Sequence, residues 1–89
     1  LAWTVELDAE AADEFKGLTR AIQLRIARFI RERLEGAEDP TVRGTRLKGA
    51  FAGLWRFRVG DYRLIARLDT ALSVVVILQI GHRREIYRG

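Results

Sequence analysis

Trp3, Val5 and Leu7 alternate with Thr4 and Glu6, the period-two pattern of a strand with one buried face. Asp8 follows as a helix N-cap, with Glu10, Asp13 and Glu14 early in the helix where the backbone dipole favours negative charge. That first helix is expected to run to about Leu18. Ala11, Phe15, Leu18 and Ile22 are spaced by four, three and four, one apolar stripe that continues across Gly17 and Thr19. Thr19 is the expected cap of a second helix, antiparallel to the first. In it Ile22, Ile26, Phe29, Ile30 and Leu34 point inward, and Arg25, Arg28, Arg31 and Glu32 point mostly outward. Gly36 ends it, and Ala37-Glu38-Asp39-Pro40 reads as a loop.

From Leu54 the period changes to two. Trp55, Phe57 and Val59 share one face, Arg56 and Arg58 the other, and Gly60-Asp61 is a short turn. Tyr62, Leu64, Ala66 and Leu68 then alternate with Arg63, Ile65 and Arg67, and Asp69-Thr70-Ala71 makes the next turn. Leu72 to Ile80 is a nearly continuous, Val-rich apolar run, expected to be a central strand covered on much of both faces. The pattern predicts an α+β fold of order β-α-α-β-β-β, a two-helix hairpin packed on one face of a small, mainly antiparallel sheet.

Composition narrows the chemistry. The 89 residues suit one domain, 1–89, without internal repeats, and 48% are hydrophobic, as in a folding sequence. Zero Cys and one His exclude a disulfide framework, a Cys nucleophile and an imidazole or thiolate metal cage, so neither metal nor cofactor is expected. The apolar run from Ala71 to Ile80, broken by Ser73 and Gln79, is too short for a membrane helix. No signal peptide is expected, although a first residue other than Met leaves missing or processed N-terminal residues open. Together these features fit a reducing cytoplasm.

Charge changes the picture more. Residues 1–40 carry six bases against nine acids, net −3, whereas residues 41–89 carry ten bases against three acids, net +7. Arg far outnumbers Lys, which suits bidentate contacts to phosphate and steering toward a polyanion. If the helices cover Trp55, Phe57 and Val59, then Arg56 and Arg58 lie on the open sheet face, joined by Arg63 and Arg67 of the next strand. Arginines on adjacent strands repel unless an anion or an acidic partner sits between them. That pattern points to binding.

Three motifs stand together: Leu47-Lys48-Gly49, the hairpin Leu54-Trp55-Arg56-Phe57-Arg58-Val59-Gly60-Asp61-Tyr62-Arg63-Leu64-Ile65, and Ile80-Gly81-His82-Arg83-Arg84-Glu85-Ile86-Tyr87. They resemble the RelE/ParE superfamily of type II toxin–antitoxin toxins, over nearly the whole chain. The resemblance implies a cytoplasmic mRNA interferase that cuts message on the ribosome, inhibiting translation. The RNA's own 2′-OH attacks the adjacent phosphate, a reaction that needs no metal. It also implies a cognate antitoxin, acidic at least in a wrapping segment, with ribosome and mRNA as the other partners and no membrane. Carried over, the catalytic set is Arg56, Arg58, Arg63, Arg83 and Tyr87, with His82 as the side chain whose ordinary pKa lies nearest neutrality. Arg43, Arg46, Lys48, Arg67 and Arg84 are the expected further RNA contacts.

Where some members have lysines on the strand, this chain has Arg56 and Arg58, which are poor general bases. Each residue also has a purely structural alternative. Trp55, Phe57 and Tyr62 read as packing residues, Asp61 as a turn residue, and Arg63 as the partner of Asp61 or Glu85. The helix-two arginines, Arg84 and Arg88 read as solvated. Two functions outside RNA cleavage remain: ParE-like inhibition of DNA gyrase, and a non-catalytic relative that binds RNA or its antitoxin.

Overall fold

The Val-rich run forms the strand at the heart of a five-stranded sheet, β5 (Val74–His82), flanked by β1 (Thr4–Leu7) on one side and β4 (Tyr62–Asp69) on the other. β1 runs parallel to β5, and the remaining pairings are antiparallel: β5 to β4, β4 to β3 (Trp55–Val59), and β3 to β2 (Gly44–Arg46). This computed structural model describes residues 2–86, so Tyr87 lies outside the described residues. No helix among them is long and apolar enough to cross a membrane.

The continuity of the apolar run has a cause beyond coverage of both faces. Ile65 of β4 faces Gln79 while Ala66 faces Ile77, so Leu78 is skipped and the alternation along β5 shifts by one residue. Val75 and Ile77 before this bulge, and Ile80 after it, therefore all belong to the core. They pack with Phe57, Val59, Leu64 and Ala66 against the helices.

The helices form where their caps predict. Asp8 accepts from the Ala11 N–H at 3.0 Å to start α1 (Ala9–Lys16), and Thr19 accepts from the Ile22 N–H at 3.4 Å to start α2 (Arg20–Phe29). α1 lies along β5 and α2 on β3, where the Phe29 and Phe57 rings pack with centroids 6.3 Å apart. Past Phe29 the chain widens into one π-type turn, Ile30–Leu34, closed by the Glu35 N–H donating to the Ile30 carbonyl at 2.8 Å. Residues spaced by four drift about 40° per step around an ordinary helix. The wider turn reduces that drift, and Ile26, Ile30 and Leu34 are all buried. Gly36, at φ 75°, then turns the chain away, its N–H donating to the Trp3 carbonyl at 2.9 Å.

Two further features were not legible beforehand. β2 has three residues, too few to show a period. It is positioned by a 3-10 turn, Pro40–Arg43, whose cap Asp39 accepts from the Thr41 N–H and hydroxyl. Those donors hold the Asp39 carboxyl below its ordinary range. The second feature is at the edge of β5. β1 pairing ends with the Asp8 N–H donating to Ile77, and beyond it the Glu14 carboxylate accepts from the Ile80 N–H at 2.8 Å. A helix side chain thus caps a strand edge that no neighbour covers.

Candidate nucleic-acid interface

The alternation of β3 and β4 decides what the open face presents. Phe57, Val59, Leu64 and Ala66 are buried on the helix side, so Arg56, Arg58, Arg63 and Arg67 lie on the other side. Arg58 stands directly across from Arg63, and Arg56 is flanked by Thr45 of β2 and Ile65 of β4. Arg58 and Arg67 are exposed, whereas Arg56 and Arg63 are half-buried. Ile65 shares their face yet is only 1% exposed, as expected where long guanidinium stems lie along apolar surface.

The β3–β4 turn gathers further charge. One guanidinium nitrogen of Arg63, Nη1, folds back to donate to the Gly60 carbonyl at 2.8 Å and the Tyr62 carbonyl at 2.9 Å. The Asp61 carboxylate is met by Arg83, Nε to Oδ1 at 3.8 Å, and the Arg83 N–H donates to the Asp61 carbonyl at 2.8 Å. Both side chains of that pair are more than half exposed, so it fixes the tail against the turn without contributing much stability. A residue that the sequence pattern left among the solvated helix arginines also arrives here: the guanidinium of Arg25 lies against Gly60. No local spacing signals this contact, because it joins α2 to a turn 35 residues further along the chain.

The other expected residues separate from this group. His82 is the register partner of Tyr62 on the helix side, their rings meeting edge-to-face with centroids 5.6 Å apart. Its Nδ1 accepts from the Arg84 N–H at 3.2 Å. The ring therefore faces away from Arg56, Arg58 and Arg63. Arg46 pairs with Trp55 and so also belongs to the helix side, while Arg43 and Lys48 are exposed on the turns around β2. Arg84 is exposed beyond β5. Gly81 lets the C-terminal turn return over the strand, since a Cβ there would stand 3.0 Å from Ile86 Cδ1. The arrangement joins four of the expected catalytic arginines on one surface and at its rim: Arg56, Arg58, Arg63 and Arg83. Guanidinium groups so placed can grip phosphate oxygens and neutralise charge that builds on them.

Two helices over this sheet define a class already known among solved structures. A chain of the toxin–antitoxin complex RelBE2 from Mycobacterium tuberculosis matches 93% of this chain and 100% of its own length, with a TM-score of 0.84 and 30% identity. A chain of the archaeal RelE–RelB complex from Pyrococcus horikoshii OT3 matches 96% of this chain and 99% of its own, with a TM-score of 0.74, at 24% identity, a likeness of fold alone. The family model described as ParE toxin of type II toxin–antitoxin system, parDE, matches residues 5–87, and the chain belongs to that family, within the RelE/ParE superfamily of toxins. Toxin RelG of Mycobacterium tuberculosis is 40% identical over 52 residues, a match that spans 58% of this chain and 60% of RelG.

Proposed function

We propose that this toxin is a ribosome-dependent mRNA endonuclease of the cytoplasm, and that its open sheet face holds the RNA strand at the cleavage point. The observation that carries the reading is the facing pair Arg58 and Arg63 with Arg56 beside them, a cationic surface on the side of the sheet away from the helices. In the reaction the 2′-oxygen of the RNA attacks the adjacent phosphorus and the bond from phosphorus to the 5′-oxygen breaks. The products are a 2′,3′-cyclic phosphate and a 5′-hydroxyl. One proton leaves the 2′-oxygen and one must reach the 5′-oxygen.

Because the nucleophile belongs to the substrate, the protein's work is positioning, charge stabilisation and proton handling. Arg56, Arg58 and Arg63 would orient the phosphate and offset the charge on its oxygens, with Arg83 gripping the flanking backbone. Arginine keeps its proton, so these residues do not carry the proton transfers. His82 faces the helix side, which leaves Tyr87 as the chain's own candidate. Arg43, Arg46, Lys48, Arg67 and Arg84 would meet more distant phosphates of message or ribosome.

A cognate antitoxin completes the proposal, as the similarity to a chain of the RelBE2 toxin–antitoxin complex supports. A second reading is ParE-like inhibition of DNA gyrase, favoured by the family description that matches residues 5–87. Induction of the chain in cells without antitoxin, followed by primer extension on cellular messages, separates the two. Arrest of translation with cuts inside translated regions supports the nuclease. Intact messages with gyrase-dependent DNA breaks support the second reading.

A further inference from the structure

The guanidinium of Arg25 occupies the place where a side chain on Gly60 would begin: its Cζ, Nη1 and Nη2 lie 2.8, 2.8 and 2.9 Å from the position of an ideal Cβ. Three nearly equal distances mean that the group lies with its flat face across Gly60, leaving its N–H edges directed elsewhere. Among the described residues the Arg25 guanidinium donates no hydrogen bond and has no ion-pair partner. Gly60 sits at φ 59°, so the turn needs its backbone conformation and Arg25 needs its missing Cβ.

Arg63 reaches the carbonyl of this same residue from β4, so the two guanidinium groups are at most about 9 Å apart by standard backbone dimensions. Arg58 stands opposite Arg63, and Asp61, the nearby acid of the turn, is met by Arg83. Like charges gathered at one turn are stabilised when an anion enters among them.

We propose that Arg25 is a phosphate-binding residue, which with Arg58, Arg63 and Arg83 makes the tip of the β3–β4 hairpin a clamp on the RNA backbone. This rests on the reading of the arginine face as an RNA surface and extends it around the sheet end to α2. RNA is favoured over an acidic protein segment because Arg25 and Arg63 meet at one residue, Gly60, and Arg63 in turn faces Arg58 of the open face. A single strand leaving that face meets Arg25 next.

The test measures binding of the purified full-length chain to a 2′-O-methyl RNA, which cannot be cleaved by its own 2′-oxygen, over a series of salt concentrations. Arg25→Ala is expected to weaken binding about three- to tenfold and to reduce the slope of log affinity against log salt by about 0.7. Arg25→Lys should keep the wild-type slope, and unchanged melting temperatures would show that both variants fold. Wild-type affinity and slope in Arg25→Ala would overturn the clamp while leaving the arginine face in place as an RNA surface. Loss of affinity for the antitoxin alone would likewise overturn it. Failure of the wild-type chain to bind the RNA would also overturn the clamp, and the ribosome-dependent cut would then stand or fall on cleavage of ribosome-bound message alone.

Discussion

Arg58 and Arg63 differ in what they do for the folded state although they face one another. Arg63 holds two turn carbonyls, whereas Arg58 is exposed beside a like charge. Arg58→Ala should therefore leave stability unchanged or raise it by about 0.2–1 kcal/mol, and Arg63→Ala should lower it by about 1 kcal/mol. Both should reduce cleavage. Urea unfolding beside single-turnover assays checks the pair, and equal stability in the two variants would refute the assigned role of Arg63. Proton transfer is a separate question at this scale. Tyr87→Phe should slow single-turnover cleavage on saturated ribosomes by about 10²-fold with little change in ribosome binding. A normal rate would leave the tyrosine as a packing residue.

At the scale of elements, most of the architecture was legible. The caps Asp8 and Thr19, the Gly36 stop and the Gly60-Asp61 turn each act through chemistry local to a few residues, and each is found where the pattern placed it. The arginine face followed from the same alternation. What escaped depends on contacts between distant segments: the bulge at Leu78, the widened turn after Phe29, the capping of Ile80 by Glu14, and the arrival of Arg25 at Gly60. The side of the sheet taken by His82 could not be read either, because the bulge resets the alternation ahead of it.

The short β2 belongs with these, and it carries a prediction. Gly44 pairs with Phe57, and a Cβ at Gly44 would stand 2.8 Å from Phe57 Cε1. The ring of a buried core residue thus fills the space over the glycine. Gly44→Ala should cost about 1–3 kcal/mol through overpacking of that ring, measured by chemical denaturation. A neutral result would mean that the β2 edge gives way freely and does not fix Phe57.

Across the whole molecule, charge is divided by chain segment: the part bearing the helices is net acidic, and the part bearing β2 to β5 is strongly basic. Such a surface attracts polyanions over distances set by salt. Association with an acidic antitoxin should therefore slow about tenfold or more between 0.05 and 0.5 M salt, with a smaller change in dissociation. Stopped-flow mixing reads this directly, and a salt-independent association rate would show that apolar contacts dominate the encounter.

The central claim is that the arginine face serves a cut made by the RNA's own 2′-oxygen on the ribosome. Its most direct test is to mix the purified toxin with a programmed ribosome carrying end-labelled mRNA and to identify the chemical ends of any fragments. The account predicts fragments ending in a 2′,3′-cyclic phosphate, with a 5′-hydroxyl on the downstream piece, formed with ribosomes and not with naked message, and abolished in Arg58→Ala/Arg63→Ala. Intact message on saturated ribosomes, or equal cleavage by the double variant, would contradict it.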